Sequence, residues 1–366
     1  MKPRLLHVAR MRYEQPLSSS QQRKFDALQE RFDLRVLASA AEGRGSDDGV
    51  FRLYGSLPLL DGALFYALLP FRVRRLAREH RSQAIVVQSP YEGAFASLAR
   101  TGARLVVEVH GDWRTATRLY GSPLRRLLSP LADAVGAFGL RRADAVRTLS
   151  PYTSGLVREL GIEPAGEFAA FMDFELFVDR PPAPLPDRPV ALFVGVLELY
   201  KNVDGLAQAW RLAAPRLPGA ELRLVGRGTR QAVVEELLHD LPEQTTWTPR
   251  LTQEEVARAL DEATCLVLPS RSEGLGRVLI EAFLRGRPVV AMGVGGIPDV
   301  VTDGVNGLLV GSNEELADAL VRLLGDSALA ERLAARTVES GERWLATPEE
   351  YAARLADLVS PYTAPQ

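Results

Sequence analysis

At 366 residues, 46% hydrophobic and 25% charged, the chain has the length of two domains and the composition of a globular protein, not of a disordered or fibrous one. A single cysteine, Cys265, excludes a disulfide framework, and no apolar run reaches the roughly eighteen residues of a membrane-spanning helix. The formal charge is only −2 but unevenly spread, with 26 basic against 20 acidic residues in 1–180 and 18 against 26 in 181–366.

The opening MKPRLLHVARMR has too short an apolar run for a signal peptide, so the expected location is the cytoplasm. Residues 51–150 hold 15 basic and 7 acidic side chains, the sign that suits an anionic membrane surface or acceptor. No aromatic-interleaved basic motif accompanies them, so nucleic acid is not an expected partner.

Short apolar runs at 5–9, 34–38, 84–87, 105–109 and 145–149 alternate with stretches of helical spacing. That rhythm is βαβ and predicts a parallel sheet. Between the first run and a helix over 21–31 lies a loop, 10–20, whose Ser18, Ser19 and Ser20 suit a helix N-cap. Residues 57–81 join an aromatic-apolar run to Arg72, Arg74, Arg75, Arg78 and Arg81. They read either as a packed helix kinked at Pro70 or as a helix lying on a membrane surface. A second such stretch, 119–142, is punctuated by Arg125, Arg126, Arg141 and Arg142.

The run VVEVHGDW places His110 at the end of a strand, the sheet edge where α/β proteins bind ligands. His110 is thus a candidate site residue, with a structural histidine as the competing reading. His7, His80 and His239 have no partner at ligand spacing, so no metal site is expected. After a helix opening at Ser150-Pro151, the proline-rich stretch 173–188 has the composition of a linker.

The pattern then restarts with a strand over 190–194, Gly195, and a helix predicted to open at Lys201-Asn202 and run to about Ala214. A glycine turn followed by a lysine at a helix start suits a diphosphate, because backbone N–H groups approach closely and the ammonium adds charge. Lys201 is also one of only three lysines among 44 basic residues. Strands over 221–225 and 245–248 lead into Gly226-Arg227-Gly228 and Pro249-Arg250-Leu251, further candidate loops.

The most informative stretch is PSRSEGLGRVLIEAFLRGRPVVAMGVGGIPDVV, 269–301. A strand ends, Gly274 and Gly276 permit close backbone approach, and a helix follows whose free N–H groups make an anion site. Glu273 in the loop and Glu281 in the helix frame that site, and carboxylates beside such N–H groups suit hydroxyls, those of a sugar and a ribose. Taken alone, either glutamate reads first as a solvated helix face. Helical surface segments follow from Gly311, and Thr347-Pro348-Glu349-Glu350 predicts a capped helix to about Val359.

Glu273-x7-Glu281, the Arg287-Pro288-Val289-Val290-Ala291 strand, the Gly295-Gly296-Ile297-Pro298 turn and Asp303-Gly304-Val305-Asn306-Gly307, in this order, resemble the signature of family-4 retaining glycosyltransferases. The resemblance implies the α/β GT-B fold, two facing Rossmann-like domains with parallel sheets. Residues 1–172, with a C-terminal helix in 346–366 packing back on them, would be the acceptor-side domain, 173–188 the linker and 189–345 the nucleotide-sugar domain. It implies transfer of a hexosyl group from a nucleoside-diphosphate sugar, of the UDP or GDP type, to a hydroxyl of a glycan, lipid or small molecule. No metal or other cofactor is implied.

By residue, the resemblance assigns Glu273 to sugar hydroxyls, Glu281 to the ribose, Lys201 and the Gly195 turn to the diphosphate, and Gly274, Leu275, Gly276 and Arg277 to phosphate and sugar through their N–H groups. His110 would contact the sugar from the other domain, and the Gly226 and Arg250-Leu251 loops would border the base. The chain departs from the family at 18–20, where serines replace glycines, at Ala170-Phe171 in place of Asn-Gly, and at Val196, where an arginine is usual. The last departure keeps a second class open, a GT-B subunit that binds nucleotide sugar or a partner without catalysis. It also points to Arg227, Arg271 or Arg277, Arg277 first, as a substitute for the missing guanidinium.

Overall fold

The computed structural model describes residues 2–41, 45–55, 61–119 and 127–360. Their contacts divide the chain into two compact units, Met1–Met172 with Ala346–Gln366, and Asp173–Leu345.

The first unit runs β1 (Arg4–Tyr13), α1 (Ser19–Arg31), β2 (Asp33–Ala40), β3 (Ser46–Asp47), β4 (Phe51–Tyr54), α2 (Asp61–His80), β5 (Ala84–Val87), α3 (Pro90–Ser97), β6 (Arg104–Val109), α4 (Trp113–Leu119), α5 (Ser129–Arg141), β7 (Ala145–Thr148), α6 (Pro151–Arg158) and β8 (Gly166–Glu167). Its sheet has the order β3-β4-β2-β1-β5-β6-β7-β8, parallel except for the β3–β4 pair at one edge. The apolar runs become strands because both faces are covered: Leu6, Val8, Val86 and Val107 are all completely buried. Serines start α1, α3 and α6. Ser18 and Ser150 form capping boxes with Gln21 and Thr153, and Ser89 caps α3 ahead of Pro90, each cap being worth about 1 kcal/mol.

Several expectations change. β1 continues through Arg10 to Tyr13, so the first four residues of the predicted loop 10–20 are strand; Tyr13 is buried edge-on against Phe25 and Phe51, which holds the chain extended. The helix expected in 57–81 is α2, Asp61 to His80, with Pro70 inside it. Within the stretch 119–142, the described residues from Ser129 to Arg141 form α5. Residues 57–60, Arg125 and Arg126 lie outside the described residues.

The second unit contains α7 (Glu175–Val178), β9 (Val190–Val194), α8 (Val203–Ala213), β10 (Glu221–Val225), α9 (Gln231–Asp240), β11 (Thr245–Thr248), α10 (Gln253–Asp261), β12 (Cys265–Leu268), α11 (Arg277–Leu284), β13 (Val289–Met292), α12 (Ile297–Val300), β14 (Gly307–Val310), α13 (Asn313–Gly325), α14 (Ser327–Ala334) and α15 (Thr337–Glu342). Its sheet is wholly parallel, ordered β11-β10-β9-β12-β13-β14. The strand order reverses between β9 and β12, and in such sheets the ligand crevice opens at the carboxyl ends of the strands flanking that point. Here those ends carry Gly195 and Ser270-to-Gly276.

The segments after Gly311, expected on the surface, are partly core. Leu316, Leu320 and Leu323 of α13 are buried against α8, where Trp210 is fully enclosed. The proline-rich stretch is pinned rather than loose. Arg285 and Arg287, both completely buried, donate to the carbonyls of Arg180, Pro181, Ala183 and Pro184, with Asp261 neutralising Arg285 at 2.7 Å.

The final helix, α16 (Pro348–Val359), starts at a Thr347–Glu350 capping box. It buries Tyr351, Leu355 and Val359 in the core of the first unit beside α1. Each fully buried apolar side chain there contributes about 1.5–3 kcal/mol.

Candidate functional site

The crevice of the second unit is built from glycines that let loops touch. Gly276 has φ 80°, a left-handed conformation that places it as the N-cap of α11, and no side chain caps the helix. The N–H groups of Arg277 and Val278 are therefore left for a ligand, while Leu279 N turns back to the Gly276 carbonyl at 2.9 Å. Behind the loop, Gly296 N donates to the carbonyl of Glu273 at 3.0 Å. A Cβ at Gly295 would lie 2.3 Å from that oxygen, and one at Gly296 would lie 2.0 Å from the carbonyl of Gly274. The GGIP turn is thus the backing plate of the Glu273–Gly276 loop.

On the neighbouring strand ends, Gly226 (φ 148°) approaches the Gly195 carbonyl so closely that a Cβ would stand 1.8 Å from it. Gly195 N pairs with Val225 O, Leu197 N with Arg227 O, and Arg230 N with Leu197 O, at 2.8–3.0 Å. Trp247 Nε1 donates to Gly226 O at 3.0 Å. The Gly195 and Gly226 loops are one laced surface.

Lys201 does not open a helix. It ends a 3-10 turn, Leu199–Lys201, and Asn202 at φ 54° separates that turn from α8. The asparagine tolerates this left-handed conformation and is locked by its neighbours: Nδ2 donates to Asn313, and Oδ1 accepts from Arg271 Nε at 3.0 Å. This break aims Lys201 at Glu273. The ammonium and carboxylate form an ion pair, the side chains each 12% exposed, and Ser270 Oγ donates to the same Glu273 oxygen at 2.8 Å. Two residues assigned to sugar and diphosphate are therefore adjacent in the folded unit.

Glu281 lies one turn along α11, buried, with Arg277 Nε donating to its Oε1 at 2.7 Å. Burial raises its carboxyl above the usual range, and Arg277 opposes that shift. Arg277 also donates to the Asp173 carbonyl at 2.8 Å and lies over Phe174. Its guanidinium is turned back along the helix instead of standing free at the helix start. Arg227 is exposed and Val196 is 46% exposed. Arg250 is exposed, and Leu251 lines a hollow of about 330 Å³ with Thr246, Thr248, Glu255 and Arg258. A larger hollow, about 660 Å³, is bounded by Asp299, Thr302, Asn306, Arg332, Arg336 and Trp344 and includes none of these residues.

In the first unit, His110 follows β6 with Nε2 3.0 Å from Glu108 Oε2, and Arg147 donates to the other Glu108 oxygen at 2.6 Å. The i, i+2 spacing puts Glu108 on the same face as His110, but Arg147, 39 residues on, is not evident from spacing. The available signal was a lone charge inside each of two apolar strands, which must be paired when buried. Among the described residues no three His, Cys, Asp or Glu side chains are grouped to hold a metal ion, and no helix is long and apolar enough to cross a membrane.

Two Rossmann-like units with parallel sheets, a glycine-built anion crevice and a carboxylate–ammonium pair at its floor are the features of a GT-B protein. The solved structure of sucrose-phosphate synthase from Thermosynechococcus elongatus superposes with a TM-score of 0.78 at 20% identity, over 98% of each chain. The family description "Glycosyl transferases group 1" matches residues 188–326, and "Glycosyl transferase 4-like domain" matches 20–167. The GDP-mannose-dependent α-(1-6)-phosphatidylinositol monomannoside mannosyltransferase of Mycolicibacterium smegmatis is 30% identical over 79% of each chain. The α-D-kanosaminyltransferase of Streptomyces kanamyceticus is 29% identical over 64% of each. The chain spans 64% of that relative and as little as 39% of another curated relative it matches. This chain belongs to the group 1 glycosyl transferases.

Proposed function

We propose that the protein transfers a hexosyl group from a nucleoside-diphosphate sugar, with UDP or GDP as the nucleotide, to an acceptor hydroxyl, with retention and without an essential metal. The observation that carries this reading is the Lys201–Glu273 pair on the glycine-backed loop at the start of α11. It sets one cation and one carboxylate beside free helix N–H groups, which is what a leaving diphosphate and a sugar hydroxyl respectively require.

In this reading Glu273 accepts from sugar hydroxyls and Glu281 from the ribose. Negative charge grows on the departing diphosphate, and Lys201 with the N–H groups of Gly274 to Arg277 stabilises it without rearranging. The Gly226 and Arg250-Leu251 loops border the base, and His110 contacts the sugar. No side chain is assigned as a nucleophile. Support for a nucleotide-sugar donor and a lipid acceptor comes from the mannosyltransferase relative, whose name specifies GDP-mannose and a phosphatidylinositol mannoside.

A lipid-type acceptor accords with the surface of the first unit. Phe71 is 73% exposed on α2, Leu131 63% and Phe138 37% on α5, and α3 packs against both helices. Exposed Arg74, Arg75, Arg78, Arg141 and Arg142 lie on the same two helices or at their ends. Apolar side chains interleaved with arginines suit a peripheral contact with an anionic membrane face.

The test is a melting panel with UDP, GDP, ADP and dTDP, followed by nucleoside-diphosphate release from UDP-glucose and GDP-mannose. A ligand at a hundred times its Kd adds about 2.7 kcal/mol of stability. No shift with any nucleotide overturns the reading. A shift with no release on adding acceptors favours the second reading, a binding subunit, for which the exposed Val196 in place of an arginine is the specific observation.

A further inference from the structure

A buried carboxylate lies beneath the candidate histidine of the first unit. Glu108 and His110 are two residues apart at the end of an extended strand, a spacing that turns both side chains to one face. The exposures differ sharply: Glu108 1%, Arg147 0%, and the His110 side chain 36%. Glu108 divides its oxygens, Oε1 accepting from Arg147 Nη1 at 2.6 Å and Oε2 lying 3.0 Å from His110 Nε2. Arg147 does not wander, because its Nη2 donates to the Phe168 carbonyl at 2.8 Å and its guanidinium lies 4.3 Å over the Phe168 ring.

A carboxylate in this position stays ionised. Burial alone would raise its pKa, but Arg147, His110 and Lys24 together hold it well below the usual carboxylate range. An ionised carboxylate can only accept, so the facing imidazole nitrogen must carry the proton. His110 Nδ1 has no partner among the described residues.

We propose that Glu108 is a positioning residue that fixes His110 as the Nε2–H tautomer, leaving Nδ1 as a hydrogen-bond acceptor at the carboxyl edge of the first sheet. The proposal rests on the reading that His110 serves sugar transfer, and it specifies the role: His110 Nδ1 accepts a hydrogen bond from a substrate hydroxyl. A buried Arg–Glu pair by itself is weak stabilisation compared with apolar packing, and a bidentate pair would occupy both Glu108 oxygens. One oxygen is instead kept for the histidine, and the partner of one ring nitrogen decides what the other can do.

The direct test is imidazole ¹⁵N NMR of the unmodified protein about two pH units above the ordinary histidine value. The four histidines are told apart by the signal lost in His110→Ala. The expected His110 pattern is the Nε2–H tautomer; an Nδ1–H pattern or an averaged mixture overturns the proposal.

The second arm measures nucleoside-diphosphate release with UDP-glucose or GDP-mannose as the probe. Glu108→Gln, which can still accept from Arg147, is expected to lower kcat at least tenfold with the donor KM within twofold. Placed on His110→Ala, it is expected to cost nothing further. An equal loss in both backgrounds means that Glu108 only supports the fold, which rejects the positioning role. If His110→Ala turns over like the unmodified protein, the assignment of His110 to transfer falls instead, whereas the tautomer is decided by the spectrum alone. A Glu108→Gln chain that fails to fold leaves the decision to that spectrum as well.

Discussion

Arg277 Nε donates to Glu281 Oε1 at 2.7 Å across one turn of α11, so the side chains pointed by the sequence at phosphate and ribose first satisfy each other. A ribose that reaches Glu281 must share this carboxylate with Arg277. Because Glu281 is buried and Arg277 is 38% exposed at its side chain, removing the glutamate leaves a guanidinium that water can still solvate. Glu281→Ala is therefore expected to unfold at nearly the original temperature and to bind UDP or GDP ten- to a hundredfold more weakly, the loss of about 1.5–3 kcal/mol for hydrogen bonds to a charged group. Calorimetric titration checks it, and unchanged affinity rejects the ribose role.

Glu273→Ala separates sugar from nucleotide. Its carboxylate holds Lys201 and Ser270, and its loss frees the ammonium for diphosphate. Free nucleoside diphosphate is expected to bind within about threefold of the original affinity, while transfer falls by two orders of magnitude or more, the scale of removing a transition-state contact. Parallel titration and product-release assays decide; equal losses in both would move Glu273 to the nucleotide.

Gly296→Ala tests the backing plate. A Cβ 2.0 Å from the Gly274 carbonyl must push the loop or the turn, at a cost of about 1–3 kcal/mol. The expected result is a lowered melting temperature together with weakened nucleotide binding. Melting and titration at full wild-type values would show that the turn does not brace the loop.

Two buried groups in the first unit give pH responses of opposite sign. Burial first, then Lys24, lowers His7 to about 4. From about 4 to 6.5 the unfolded chain binds a proton that the folded one does not, and stability climbs with pH. Burial raises Glu92 to about 7. From about 4.5 to 7 the folded chain keeps a proton that the unfolded one has released, and stability falls with pH. Each amounts to about 3 kcal/mol at full development, so they oppose over most of this range. His7→Gln is expected to leave stability that decreases from pH 4.5 to 6.5, and Glu92→Gln stability that increases. Denaturant titrations at the two pH values check the signs.

Membrane docking predicts salt sensitivity. At low ionic strength the protein is expected to sediment with anionic vesicles and not with neutral ones, and to be released at high salt as screening sets in. Phe71→Ser, which removes an apolar contact from an exposed position, should weaken sedimentation without altering nucleotide affinity. Equal partition onto neutral vesicles removes the electrostatic account.

Strands such as Ala84–Val87 and Val190–Val194 were legible because parallel strands buried on both faces are unbroken apolar runs. Phe51–Tyr54, an outer strand interrupted by Arg52, lacks that mark. The helix expected from Lys201-Asn202 to about Ala214 forms but starts at Val203, because nothing in the residue pattern marks the left-handed turn at Asn202, which depends on Asn313 and Arg271. The amphipathic α13 read as surface because its buried stripe faces a partner, α8, some hundred residues earlier. At the site, Glu273 and Glu281 stood out through local spacing. The pairing of Lys201 with Glu273 joins two strand ends 72 residues apart and needs the sheet order to bring it about.

The chain's only cysteine, Cys265, is enclosed within β12, and burial pushes its thiol up to about 12. A thiol so disfavoured as thiolate reacts slowly with maleimides and iodoacetamides. For labelling chemistry the native surface is therefore silent, and one cysteine introduced at an exposed position such as Arg227 or Arg250 would carry a fluorophore or spin label alone. Ligand-dependent changes at the crevice could then be followed without first removing any native residue.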